Sequence, residues 1–203
     1  MPVEFLTDEQ AAAFGRFTGA PSRADLDRFF LLDDADLERI GKHRGDHNRL
    51  GFSLQMTTVR YLGTFLPDPV AVPTPVVDFL AEQLGIADAS CIKRYAARQN
   101  TQWEHTAEIR EAFGYRTLSD PEASIQLRAF LAARAWTRIE PSKALFDAAA
   151  RWLRRRRVPL PGAHVLAKLV AEIRPPPRPG CGRRSPLRRS RLMPSCPADW
   201  AGC

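Results

Sequence analysis

The strongest constraint on this chain is a recurring punctuation: a helix-starting residue, apolar residues at helical spacing, then a stop. Thr7 precedes "DEQAAAFGRF", where its hydroxyl can accept from the first unpaired amides. Asp33 or Asp34 opens "ADLERIGKH", with carboxylates at the positive end of the helix dipole. Asp46 is expected to cap a helix running to about Phe65. Thr74 and Pro75 start "TPVVDFLAEQLG", and Gly85 ends it. Asp88 introduces "ASCIKRYAARQ", and "EHTAEIREAFG" stops at Gly114. Asp120–Pro121 and Glu140–Pro141 begin two further helices, and "AHVLAKLVAEIR" follows Pro161–Gly162. Strand-like alternation is scarce. The chain therefore reads as all-α, a multi-helix protein of about eight helices.

"LPDPVAVPTP", with four prolines from Pro67 to Pro75, is either a linker or a stiff internal loop. Taken as a linker, it divides a first helical unit, 1–70, from a second, 71–174, though one continuous domain is the alternative. Residues 175–203 differ in kind, with seven of the seventeen prolines, three of the four cysteines and no helical period. That composition predicts a disordered Pro/Arg-rich tail. The break at Arg174–Pro175 falls inside a good helical pattern, as a frameshift in a GC-rich gene would place it. A basic arm for nucleic acid is the alternative.

Charge is unevenly distributed. Residues 1–40 sum to −5, 41–174 to +7 and 175–203 to +5, giving the net +7. A basic body suits a polyanion, although basicity alone predicts only non-specific attraction. No stretch approaches the roughly 20 apolar residues that span a bilayer. "MPVEFLTDEQ" lacks the basic start of a signal peptide, so a cytoplasmic chain without a membrane partner is expected. The four cysteines form no CxxC pair, which argues against a zinc knuckle or disulfide framework.

The chemistry-bearing residues concentrate in "RIGKHRGDHNRLGFSLQMTTVRYLGTFL", Arg39 to Leu66. His43 and His47 stand four apart, as two metal ligands on one helix face would. Gly45–Asp46 between them reads as a stop and a cap, and only Asp46 or His105 could complete a site. Neither metal nor any other cofactor is expected. The chain has no nucleophile elbow and no phosphate-cradling glycine loop.

DNA binding has more content. "ADLERIGKH", a glycine-containing connection and "DHNRLGFSLQMTTVRYLGTF" read as helix, turn, helix. Leu50, Leu54, Thr57, Tyr61 and Phe65 share one face as a core stripe. Arg49, Ser53, Met56 and Arg60 form another, with Arg44, His47 and Asn48 at its N-terminal end. A recognition helix presents such residues to base edges and phosphates. Alternatively, the arginines pair with the acids at 33–38 and hold the hairpin together. Lys93, Arg94 and Arg98, around Tyr95, form a weaker nucleic-acid signature. In "RRRR", 154–157, Arg154, Arg155 and Arg156 could clamp phosphates or simply complement the negative end of a helix. The four tryptophans read as packing residues.

"FFLLDDADLERIGKHRGDHNRLGFSLQMTTVRYLGTFLPDP", "VPTPVVDFLAEQLGI", "TQWEHTAEIREAFGYR" and "PSKALFDAAARWLRRRRVPLPG" together resemble the N-terminal, DUF-type region of Tn-three family replicative transposases. The resemblance covers roughly residues 3–174. It implies binding of double-stranded DNA at the terminal inverted repeats of a mobile element. Full-length transposase is a second partner it suggests. The family's metal-dependent carboxylate triad belongs to a far C-terminal region, so the resemblance implies a truncated, frameshifted fragment without catalytic residues.

Overall fold

The computed structural model describes residues 5–137 and 140–173, and these are helical with no strand among them. In order, the helices are α1 (Asp8–Ala13), α2 (Arg23–Asp25), α3 (Asp34–Gly41), α4 (Asp46–Leu62) and α5 (Thr74–Gln83). They continue as α6 (Ile92–Ala96), α7 (Gln99–Phe113), α8 (Pro121–Thr137), α9 (Ser142–Arg155) and α10 (Ala163–Ile173). The tail after Arg174, with its frameshift and basic-arm readings, lies outside the described residues.

Local signals account for most boundaries. Thr7 closes a capping box with Gln10, and Asp33 accepts from the Asp36 amide at 2.8 Å. Gly85 and Gly114 take positive φ after α5 and α7. Three starts differ from expectation, and in one of them Pro141 holds the cap position of α9, which begins at Ser142. Gly45, at φ 81°, occupies the cap position of α4, and Asp46 is already its first helical residue. Pro73 takes the same role before α5 in place of Thr74. No side chain caps that start, and Pro75 sits in the first turn, where its missing N–H leaves no bond unmade.

One helical stretch had no signal strong enough to read. Ser22 forms a capping box with Asp25, and α2 widens into a π-helical turn over Leu26–Phe30. The Gln83 side chain holds its end: Oε1 accepts from the Leu32 amide at 2.9 Å, and Nε2 donates to the Phe30 carbonyl at 3.1 Å. A half-buried side-chain amide thus supplies bonds that the irregular backbone lacks.

α4 is the axis of the molecule. Every residue from Leu50 to Val59 is buried, because α3, α5, α6, α7 and the π turn all pack against it. Gln55, also buried, binds both the amide and the carbonyl of Leu66 and so fixes the chain beyond the helix. Around α4 lies one apolar cluster, from Leu26 through Leu66 and Val72 to Ile109. Leu66 and Val72, on either side of the expected division at 70–71, share it. A second cluster joins α8, α9 and α10, and Phe5, Leu6 and Phe14 from the start of the chain pack onto it. Phe146, Ala149 and Leu153 of α9 are buried there, as their spacing predicts.

The two clusters meet at the C-terminal end of α4. Arg154 donates from Nη2 to the Leu62 carbonyl at 2.7 Å, and the Leu160 amide donates to the Gly63 carbonyl at 2.7 Å. Gly63 sits at φ 77°, and a Cβ there would come within 2.9 Å of Arg154. Glycine is needed at this corner for both reasons.

Candidate nucleic-acid interface

The residues expected to face DNA divide sharply. Ser53 is fully buried and donates to the Leu50 carbonyl at 2.8 Å. Met56 is buried beside it, so the proposed outer stripe of α4 is interior. Burial of polar residues there is tolerated because the Ser53 and Thr57 hydroxyls bond to carbonyls of the helix itself, while Gln55 bonds to Leu66. Arg60 is not free either. It grips the buried Asp36 with two bonds, Nη1 to Oδ2 at 2.7 Å and Nη2 to Oδ1 at 2.6 Å. Arg49 donates to the Leu84 carbonyl at 3.1 Å, closing the end of α5, and lies 3.5 Å from Asp46.

At the first turn of α4, Asn48 donates to the Arg44 carbonyl at 2.9 Å. Its Oδ1 and the Nε2 of His47 are both turned away from solvent. Base edges therefore have no direct access to those two atoms. Burial lowers the His47 pKa, and the nearby positive charges of Arg94 and Arg98 lower it further against the opposing Asp46. α6 itself packs directly on α4, with Tyr95 against Gly51. Arg44 in the turn before α4, Lys93 and Arg94 on α6 and Arg98 just after it are all exposed, a set of four cations here called the basic corner.

The second run is split by role. Arg154 is spent on Leu62, and burial pulls its guanidinium below the usual arginine value. Arg156 lies over the Trp152 ring at 5.2 Å and donates to Gln126 at 3.2 Å. Arg155 is exposed. Two tryptophans read as packing residues are instead on the surface, Trp103 at 72% and Trp136 at 74% exposure. Trp152 is half-buried against Phe130, and Trp200 lies outside the described residues.

The histidines form no metal centre. His43 follows α3 and His47 begins α4, so the spacing of four does not put them on one helix. The His43 ring lies 4.2 Å from Phe52 and 4.4 Å from His105, with Nε2 3.6 Å from Glu108. No group of side chains suited to a metal ion occurs among the described residues. The cluster instead anchors the turn that carries Arg44. His105, 4% exposed, contacts the Tyr95 hydroxyl through Nδ1 at 3.2 Å. Burial first, then the charge of His43, push its pKa down to about 4.

A pH dependence follows. An unfolded histidine titrates near 6.5, so acid protonates the unfolded chain before the folded one. The stabilisation is complete above pH ~6.5 and is lost as pH falls toward the folded value. Stability should drop by about 2 kcal/mol between pH 6.5 and 5 from this group. Thermal melts across that range should show the fall, and His105→Phe should flatten it.

Comparison with known proteins adds the setting. The protein family described as "Domain of unknown function (DUF4158)" matches residues 5–173. The transposase for transposon gamma-delta of Escherichia coli (strain K12) is 45% identical over 174 residues, covering 86% of this chain and 17% of that protein. The transposase for transposon Tn1546 of Enterococcus faecium is 30% identical over 84% of this chain and 17% of its own length. That for transposon Tn501 of Pseudomonas aeruginosa is 34% identical over 74% of this chain and 15% of its own length. The chain thus spans 15–17% of the length of these relatives. No described helix is long and apolar enough to cross a membrane.

Proposed function

Because the chain belongs to the DUF4158 family, we propose that it is the DNA-holding part of a transposase, docking on the terminal inverted repeats of a mobile element. It carries no cutting or joining role of its own. The observation that carries this reading is the basic corner where α6 meets the start of α4: Arg44, Lys93, Arg94 and Arg98 are exposed there. Guanidinium and ammonium groups in that setting neutralise phosphates and release their counterions. Arg155 is a further candidate. The roles first given to Ser53, Arg60 and Arg49 pass to structure instead.

Four such contacts predict a slope near roughly −3.6 when log affinity is plotted against log salt. Replacing Arg94 and Arg98 together by Ala should make that slope shallower by about 2. Fluorescence anisotropy with a duplex from the ends of the element measures both. Salt-independent binding, or an unaltered slope in the double variant, would remove this corner from the interface.

A second reading rests on α8. Ile125 and Trp136 are exposed and fall on one face of that helix, as an element that docks on intact transposase would present them. Capture of the intact enzyme in the absence of DNA separates this reading from the first.

A further inference from the structure

α4 is buried from Leu50 to Val59, and Nε2 of His47 and Oδ1 of Asn48 in its first turn are turned away from solvent, so base reading falls to another element. We infer that the first turns of α7 read the base edges, through Gln99 and Asn100 with Trp103 beside them. The inference rests on the DNA-holding role of the basic corner and adds a sequence-reading surface to it.

Placement is the first support. α6 and α7 are joined by Ala97 and Arg98 alone, a helix, a tight turn and a second, longer helix. Gln102 fixes the angle between them, since its Nε2 donates to the carbonyls of Tyr95 and Ala96 at 3.3 and 3.0 Å. Tyr95 in turn is wedged against α4, so α7 stands on a rigid base. The second helix of such a pair enters the major groove N-terminal end first.

Side-chain chemistry is the second. Gln99, Asn100 and Trp103 are all exposed, and at ~100° per residue they fall within about 100° of one another on α7. His105 and Ile109 occupy the opposite, buried side. Amides at such positions make paired contacts with adenine, and an aromatic edge meets the thymine methyl or stacks on a distorted step. No side chain caps this helix start, and Arg98 takes the cap position itself. Arg94 and Arg98 therefore border the amides with cations that suit the flanking phosphates. Glu104, one turn beyond Asn100, is exposed and disfavours phosphate. That carboxylate confines close approach to the first turns of the helix.

The test uses the full chain and two duplexes of equal length, one from the element's own end and one with that sequence scrambled. Wild type should prefer the end sequence, and Gln99→Ala with Asn100→Ala should reduce the preference at least tenfold. The same double variant should leave affinity for the scrambled duplex and the salt slope unchanged. Trp103→Phe should abolish the tryptophan emission change seen on adding the end duplex. Equal binding of both duplexes by wild type, or full discrimination by the double variant, would overturn the assignment while leaving the DNA-holding role intact. Absence of binding to either duplex would sink that role itself.

Discussion

Asp36→Ala should lower stability by about 3 kcal/mol or more, toward the lower end of what breaking a buried ion pair costs. Asp36 is 3% exposed, and its carboxylate exists in the core only because both oxygens are bound by Arg60. Its removal strands a guanidinium whose side chain is 28% exposed. That residual access to water places the effect near the lower end. Urea unfolding measures it, and a melting-temperature drop of roughly 6–12 °C should accompany it. Asp36→Ala combined with Arg60→Met removes both charges and should recover most of the loss, as apolar replacements of buried pairs commonly do. A change below ~1 kcal/mol in the single variant would mean that the pair holds little together. Arg60 would then return as a candidate for phosphate.

Gly51→Ala should be destabilising by about 3 kcal/mol, the upper end of ordinary overpacking. In most helices that substitution helps, by up to about 1 kcal/mol. Here the sign reverses because α4 and α6 touch at this residue. A Cβ on Gly51 would lie 2.3 Å from the Tyr95 ring. The ring is fully buried, stacked on His105 at 5.4 Å and tied to it through its hydroxyl, so it has nowhere to retreat. Lys93 and Arg94 of the basic corner stand on α6, so the same variant should also weaken the proposed DNA binding more than its loss of folded protein explains. Circular dichroism melts and anisotropy at a temperature where the variant is folded measure the two effects. A variant as stable as wild type would show that α6 can slide on α4.

Helix starts and stops were legible because they depend on one or two residues and their own backbone: Thr7, Asp33, Gly85 and Gly114 act locally. The site was harder to read, because exposure is a property of the assembled fold. Ser53 and Arg60 sit at the right helical angles for an outer stripe, yet α3, α5, α6 and α7 together leave α4 no outer side. The acids at 33–38 did announce a partner for an arginine, and Asp36 is the one that took it. Trp103 reads as a packing residue because an aromatic side chain usually is one, and only the rotation of α7 turns it outward. Gln99 and Asn100 carry no charge, so nothing in the sequence sets them apart from other surface amides.

Arg154 shows what an arginine run can hide. By counting, 154–157 is a block of four like charges, but Arg154 is bound to the Leu62 carbonyl, where it completes the unsatisfied end of α4. That bond makes the central helix and the second cluster share a joint. Loosening either half at that joint should therefore be felt by the other, since Leu62 and Gly63 on one side are bonded to Arg154 and Leu160 on the other.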